Sequence, residues 1–190
     1  MNIPSGSLVA LDTQILIWGG LRRCIPGVNL QNQTDAEKEK RARILLHELD
    51  DIKAKIVIPS VAVAELLCPI APLEHNNFLA IISRQFDCPS FDLRATSLAA
   101  KLWRHNRSLS KDEQIARTVL KADMQIIATA KTRGVKHFFS DDAKCRKLAL
   151  FAEIEAHPLP THALNLFTES ELREKEEKSD THRTADSSPG

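Results

Sequence analysis

Short apolar runs that stop on an acidic residue recur along this chain, with stretches of helical periodicity between them. Leu8-Val9-Ala10-Leu11 ends at Asp12, and His137-Phe138-Phe139-Ser140 ends at the Asp141–Asp142 pair. A third run, Ile56-Val57-Ile58-Pro59, is followed in the first helical turns by Glu65. Strands alternating with helices predict an α/β domain of three layers, α/β/α, with a central, mainly parallel sheet. In such a sheet the carboxyl ends of the strands lie on one side, where ligands bind. The acids that follow these strands are therefore expected to gather at one edge, together with Asp123 from a helix.

The expected elements follow from periodicity and punctuation. A strand at Leu8–Leu11 leads into a short helix from Thr13 to Gly19, and Arg22–Thr34 reads as a loop. Helices are expected at Asp35–Asp50, at Val61–Cys68 with Ser60 as its cap, and at Leu73–Phe86. Asp92 has the chemistry to cap a helix over Leu93–Asn106, and the longest helix is expected at Lys111–Arg133, stopped by Gly134. A strand at His137–Ser140, a helix at Ala143–Phe151 and a last strand at Glu153–His157 complete the pattern. One domain is expected over residues 1–167, and residues 168–190 read as a charged, disordered tail with too little apolar surface to offset ordering entropy.

The tail carries six acids and four bases from Ser170 onward, which leaves the preceding body at a net +3. That is mildly basic, far from a nucleic-acid coat. Cys24, Cys68, Cys88 and Cys145 are widely spaced, so they read as buried reduced thiols of a cytoplasmic protein and not as a zinc cage. The most apolar stretch, Ile56–Leu73, contains Pro59, Glu65, Pro69 and Pro72, and no membrane anchor is expected.

Each acid has two readings. Asp123 has Val119, Leu120, Ile126 and Ile127 at helical spacing, so it sits on or beside an apolar stripe and needs either a lysine or a cation. Glu65 could be a solvated helix residue, and Asp12 and the Asp141–Asp142 pair could cap the helices they precede. Taken together at one edge, they form an all-oxygen donor set suited to Mg²⁺ or Mn²⁺. Such ions polarise a phosphoryl oxygen and ease departure of an alkoxide, which points to phosphodiester or phosphate hydrolysis. No Gly-rich phosphate loop, G-x-S-x-G elbow or H-E-x-x-H pair competes.

Four segments carry a resemblance to a known family. Val9-Ala10-Leu11-Asp12-Thr13, Val63-Ala64-Glu65-Leu66, Lys121-Ala122-Asp123-Met124-Gln125-Ile126-Ile127-Ala128-Thr129-Ala130 and Phe139-Ser140-Asp141-Asp142 resemble, in order, the four motifs of PIN-domain nucleases. The resemblance spans about Ser7 to Leu159, and Ala122–Ala130 is its most specific part. It implies a Mg²⁺- or Mn²⁺-dependent endoribonuclease, often a VapC-type toxin, leaving 5′-phosphate and 3′-hydroxyl ends. It also implies Asp12, Glu65, Asp123 and Asp142 as catalytic metal ligands, supported by Thr13, Ser140 and Asp141. RNA, an antitoxin protein and a second copy in a homodimer are the partners it implies. Gln14 stands where the family commonly has Asn or Ser in its first motif.

A basic strip, Lys101, Arg104, Arg107, Lys111, Arg117 and Lys121, could position a phosphate backbone or be a solvated helix face. Trp18 and Trp103 could stack bases, but their apolar helical contexts read as core. Rival functions make different demands on these residues. A dehalogenase-like phosphatase needs an acid where Gln14 stands, and a receiver domain needs an acidic pair where Asp12 is alone. A PIN-like module that binds RNA or protein without cutting, and a DNA nuclease, fit the same acids.

Overall fold

The computed structural model describes residues 3–21 and 36–161. Its sheet has four parallel strands, β1 (Leu8–Leu11), β2 (Lys55–Val57), β3 (His137–Phe139) and β4 (Glu155–His157), in the order β2-β1-β3-β4. The helices among the described residues are α1 (Thr13–Trp18), α2 (Ala36–Asp51), α3 (Ser60–Leu67), α4 (His75–Gln85), α5 (Leu93–Ser108), α6 (Arg117–Thr132) and α7 (Ala143–Phe151). A single 3-10 turn, Pro72–Glu74, precedes α4. The result is the three-layer α/β/α fold around a parallel sheet. The expected loop at Arg22–Thr34 and the expected tail at 168–190 lie outside the described residues.

The two central strands explain their own composition. β1 pairs with β2 on one side and β3 on the other, and Val9, Ala10 and Leu11 are fully inaccessible. A parallel strand covered on both faces shows a continuous apolar run instead of alternation. Phe138 and Phe139 of β3 are likewise buried, each such side chain contributing about 1.5–3 kcal/mol.

The strand order decides where the site lies. β2 follows β1 in the chain and lies on one side of it, whereas β3 lies on the other. The order therefore reverses between β1 and β3, and a crevice opens beyond their carboxyl ends at such a reversal. Asp12 leaves β1 and Ser140 leaves β3 at that point. The Asp12 N–H donates to the Phe139 carbonyl at 2.8 Å, so the two strand ends remain in register as they leave the sheet.

Three expectations are corrected. Helix α6 begins at Arg117 and not at Lys111, and at 16 residues it equals α2 and α5. The cause is Asn106, a buried side chain that accepts from the Ile115 N–H (2.9 Å) and donates to the Ile115 carbonyl (3.3 Å). Both backbone groups of Ile115 are thereby taken out of a helical ladder. Ser60 is not a cap: it is the first residue of α3, and its N–H donates to the Pro89 carbonyl at 2.9 Å. A backbone acceptor 29 residues onward satisfies that helix end in place of a side chain. Cys68, finally, is exposed, while Cys145 is buried and Cys88 half-buried. By contrast, Asp92 caps α5 as expected, accepting from the Ala95 N–H at 2.8 Å. No helix of the described residues is long and apolar enough to cross a membrane.

Candidate functional site

Beyond the ends of β1 and β3 lies an open cleft of about 720 Å³ lined by Asp12, Glu65, Asp123, Asp141 and Asp142. Thr13, Gln14, Lys38, Cys68 and Cys145 complete its lining beside the acids, with Ile17, Trp18 and Val119 as its apolar wall. The four acids named as ligands, together with Thr13 and Asp141, thus face one space. They come from the end of β1, from α3, from α6 and from the start of α7.

Capping and cleft lining coexist in two of these acids. Asp12 caps α1 with Oδ1, accepting from the Gln14 N–H at 3.5 Å, while its Oδ2 accepts from the Ser140 hydroxyl at 2.7 Å. Asp142 caps α7 with Oδ1, accepting from the Lys144 and Cys145 N–H groups at 2.7 and 3.3 Å. Each carboxylate is thereby oriented by the backbone of the helix it starts. Thr13, buried beside Asp12, donates to Glu65 Oε2 at 2.5 Å and ties α1 to α3.

Ser140 is the joint of the site. Fully buried, it donates to Asp12 and accepts from the Asp142 N–H at 3.1 Å, and its own N–H donates to the His157 carbonyl at 3.0 Å. Ser140→Ala should therefore lower stability by about 1–3 kcal/mol, the cost of leaving buried hydrogen-bonding groups without a partner. Urea titration would measure this, and an unchanged midpoint at unchanged slope would remove Ser140 from that role.

Asp123 differs from Asp12, Glu65 and Asp142, whose carboxylates accept hydrogen bonds: among the described residues its own carboxylate has neither a hydrogen bond nor an ion-pair partner, and only burial and like charges act on it. Burial, then the charges of Asp12, Asp142 and Glu65, push its carboxyl up to about 7. Burial also raises Asp12, against the hydrogen bond from Ser140. Cys145 lies buried among the same acids, and burial, then Asp123 and Asp12, push its thiol far up, so it remains protonated at neutral pH. The cleft gathers more acidic side chains than basic ones to balance them, with five carboxylates against Lys38.

Sequence reasoning missed Lys38. From α2 it pairs with Asp141 at 2.9 Å and lies 4.9 Å above the ring of Trp18. Nothing along a charged helix distinguishes the one lysine that the fold turns toward an acidic cleft. Trp18 is largely buried, as read, yet one edge lines the cleft. The basic strip lies elsewhere: Arg107 and Arg117 line a separate pocket of about 270 Å³ with Trp103, over which the Arg117 guanidinium sits at 5.6 Å. Arg104, Lys111 and Lys121 are exposed and line neither space.

The donor set fits a hard divalent cation, since it offers only oxygen. The acids surround the cleft and do not close on one point. Among the described residues, three ligand atoms lie mutually within 4.8 Å only at His137, Glu155 and His157, outside the cleft lining. Mg²⁺ suits the wider arrangement because it keeps several waters and takes one or two carboxylates directly.

No family model matches the chain, and no curated protein matches it. A solved structure of VapBC2 from Rickettsia felis, bound to a DNA fragment from its promoter, contains a chain similar to this one. The two share a TM-score of 0.53 at 13% identity, over 80% of this chain and 99% of that one. At that identity the likeness is one of fold alone, that of an α/β/α domain around a parallel sheet.

Proposed function

We propose that this protein is a divalent-cation-dependent endoribonuclease that hydrolyses phosphodiester bonds of single-stranded or structured RNA. The observation that carries the reading is Asp123, a half-buried carboxylate with no basic partner among the described residues, facing four further acids across one cleft at the reversal of strand order. A buried negative cluster of this kind is stable only with protons or a cation in it. Asp12, Glu65, Asp123 and Asp142 would hold Mg²⁺ or Mn²⁺. Bound there, the ion would supply Lewis-acid activation of the phosphate and stabilise charge on the departing oxygen.

The chain's own groups do the positioning. Ser140 and the first turn of α1 hold Asp12, Thr13 holds Glu65, and the first turn of α7 holds Asp142. Lys38, paired with Asp141 at the cleft, places an ammonium where a phosphate oxygen of an entering strand can meet it. The Ile17, Trp18 and Val119 wall gives the sugar and base an apolar surface. The VapBC2 neighbour supports reading the chain as the toxin of a toxin–antitoxin pair with an antitoxin protein as partner; action in the cytoplasm and assembly as a homodimer are part of the same proposal. Incubation with structured and unstructured RNA, and with single-stranded DNA, in Mg²⁺, Mn²⁺ or EDTA tests the activity. RNA bound but never cut with either ion would make the chain a binding module, and cleavage of DNA alone would reassign the substrate.

The strip on α5 and α6 is proposed to guide the strand toward the cleft. Reversing Arg104 and Arg107 together to Glu should weaken RNA binding and reduce its log–log salt slope by roughly 1.4, at about 0.7 per phosphate contact on a single strand. A salt titration with an unchanged slope would return both residues to an ordinary solvated face.

A further inference from the structure

Away from the acidic cleft, the pairing of β3 with β4 assembles a second set of ligand atoms. In the parallel register His137 lies opposite Glu155 and Phe139 opposite His157. Side chains two apart on a strand share a face, and directly paired residues share it too. His137, Glu155 and His157 are therefore brought together by the backbone itself. His137 Nδ1 is 3.3 Å from His157 Nε2 and 3.3 Å from Glu155 Oε2, and His157 Nε2 is 3.6 Å from Glu155 Oε1. The two imidazoles are mostly shielded, with side chains 10% and 21% exposed, while Glu155 is 64% exposed. The ring of Phe139 stacks on His157 at 4.9 Å between centroids and fixes its plane.

The separation of the two ring nitrogens bears on the choice of metal. Tetrahedral coordination with bonds of about 2.0–2.1 Å separates neighbouring ligand atoms by about 3.3–3.5 Å, whereas octahedral coordination at that bond length brings them to about 3.0 Å. The two ring nitrogens, 3.3 Å apart, have the tetrahedral spacing, and the Glu155 carboxylate turns one oxygen toward each of them. Two imidazoles and one carboxylate also form a donor set of the kind used for zinc-class ions, with a fourth position left for water. A hydrogen bond between the rings plus an ion pair to Glu155 would give similar contacts, so metal binding itself is the test.

We propose that His137, Glu155 and His157 form a second cation site, for a zinc-class transition metal, that clamps the edge strand β4 onto β3. The clamp bears on the cleft through one bond, because the His157 carbonyl accepts the Ser140 N–H at 3.0 Å and Ser140 holds Asp12. The proposal stands on the strand register and does not depend on what the acidic cleft does.

Calorimetric titration of the full chain carrying Asp123→Asn, which weakens cation binding in the cleft, should find one Zn²⁺ per chain. Adding Glu155→Gln or His157→Gln should weaken that binding by more than the roughly 10- to 100-fold that loss of an outer-shell partner costs. Co²⁺ in place of Zn²⁺ should give the visible absorption of a tetrahedral site, without a thiolate charge-transfer band. The exposed Glu155→Gln decides the matter should His157→Gln fold poorly. Zinc affinity unchanged by Glu155→Gln, or a cobalt spectrum with thiolate ligation pointing to Cys68, would overturn the site. Mn²⁺-dependent thermal stabilisation retained in chains carrying only Glu155→Gln would support the separation of the two sites; its loss would overturn it.

Discussion

Asp123→Asn should lower the rate of RNA hydrolysis by roughly 10²- to 10⁴-fold while leaving the fold intact. The substitution keeps the shape of the side chain and removes one charge from the cluster that would hold the cation. Metal stabilisation of the reacting phosphate contributes several kcal/mol, and each 1.4 kcal/mol is about tenfold in rate. Without divalent ion at neutral pH the variant should melt higher than the wild type, because Asp123 is destabilised by burial and by Asp12, Asp142 and Glu65. With Mn²⁺ the order should reverse, since an ion bound to the native state alone raises its stability and the variant binds it less well. Melting curves of both proteins in EDTA and in Mn²⁺, beside a single-turnover cleavage assay, check the two halves. Undiminished cleavage, or equal Mn²⁺ shifts, would take Asp123 out of the site.

The second large effect is on pH dependence. In the native protein without divalent ion the Asp123 carboxyl titrates at about 7, against 3.8 for an unperturbed group. Between those values the folded chain keeps a proton that the unfolded chain has lost. Stability therefore falls as pH rises, fully retained below about pH 4 and lost through pH 7. Asp12, also raised, acts in the same direction. At about 1.4 kcal/mol per pH unit the loss is on the order of a few kcal/mol, reduced by solvent screening of a carboxylate at an open cleft. His157 works the other way: burial lowers its pKa, so its contribution grows as pH rises toward 6.5. Comparison with Asp123→Asn isolates the carboxylate. In EDTA the wild type should lose several degrees more than the variant between pH 5 and pH 8, and saturating Mn²⁺ should abolish the difference. Parallel profiles in EDTA would show that Asp123 ionises normally.

Much of the site was legible before the fold was known. Strand β1 and helix α7 match their expected bounds, β3 ends one residue earlier than expected, and Asp12 and Asp142 stand where strand gives way to helix. The Asp92 cap is a three-residue relation, and a polar residue before an apolar helical run is visible locally. Asp123 could be singled out because a carboxylate on an apolar helical stripe violates the period around it. These features depend on neighbours within a turn or two of the chain.

What tertiary structure alone decided involves distant partners. The late start of α6 follows from Asn106 capturing Ile115, and the uncapped start of α3 from the Pro89 carbonyl. That no lysine among the described residues pairs with Asp123, that Lys38 pairs with Asp141 and that His137 meets His157 all depend on which elements pack together. Above all, the order β2-β1-β3-β4 sets the end of β1 beside the end of β3, so that Ser140 reaches Asp12 across 128 residues of chain. Local periodicity determines what each segment becomes and which residue ends it. Which ends then adjoin is decided by the burial of whole faces against one another, a free energy shared among segments far apart in the chain and carried by no single one of them.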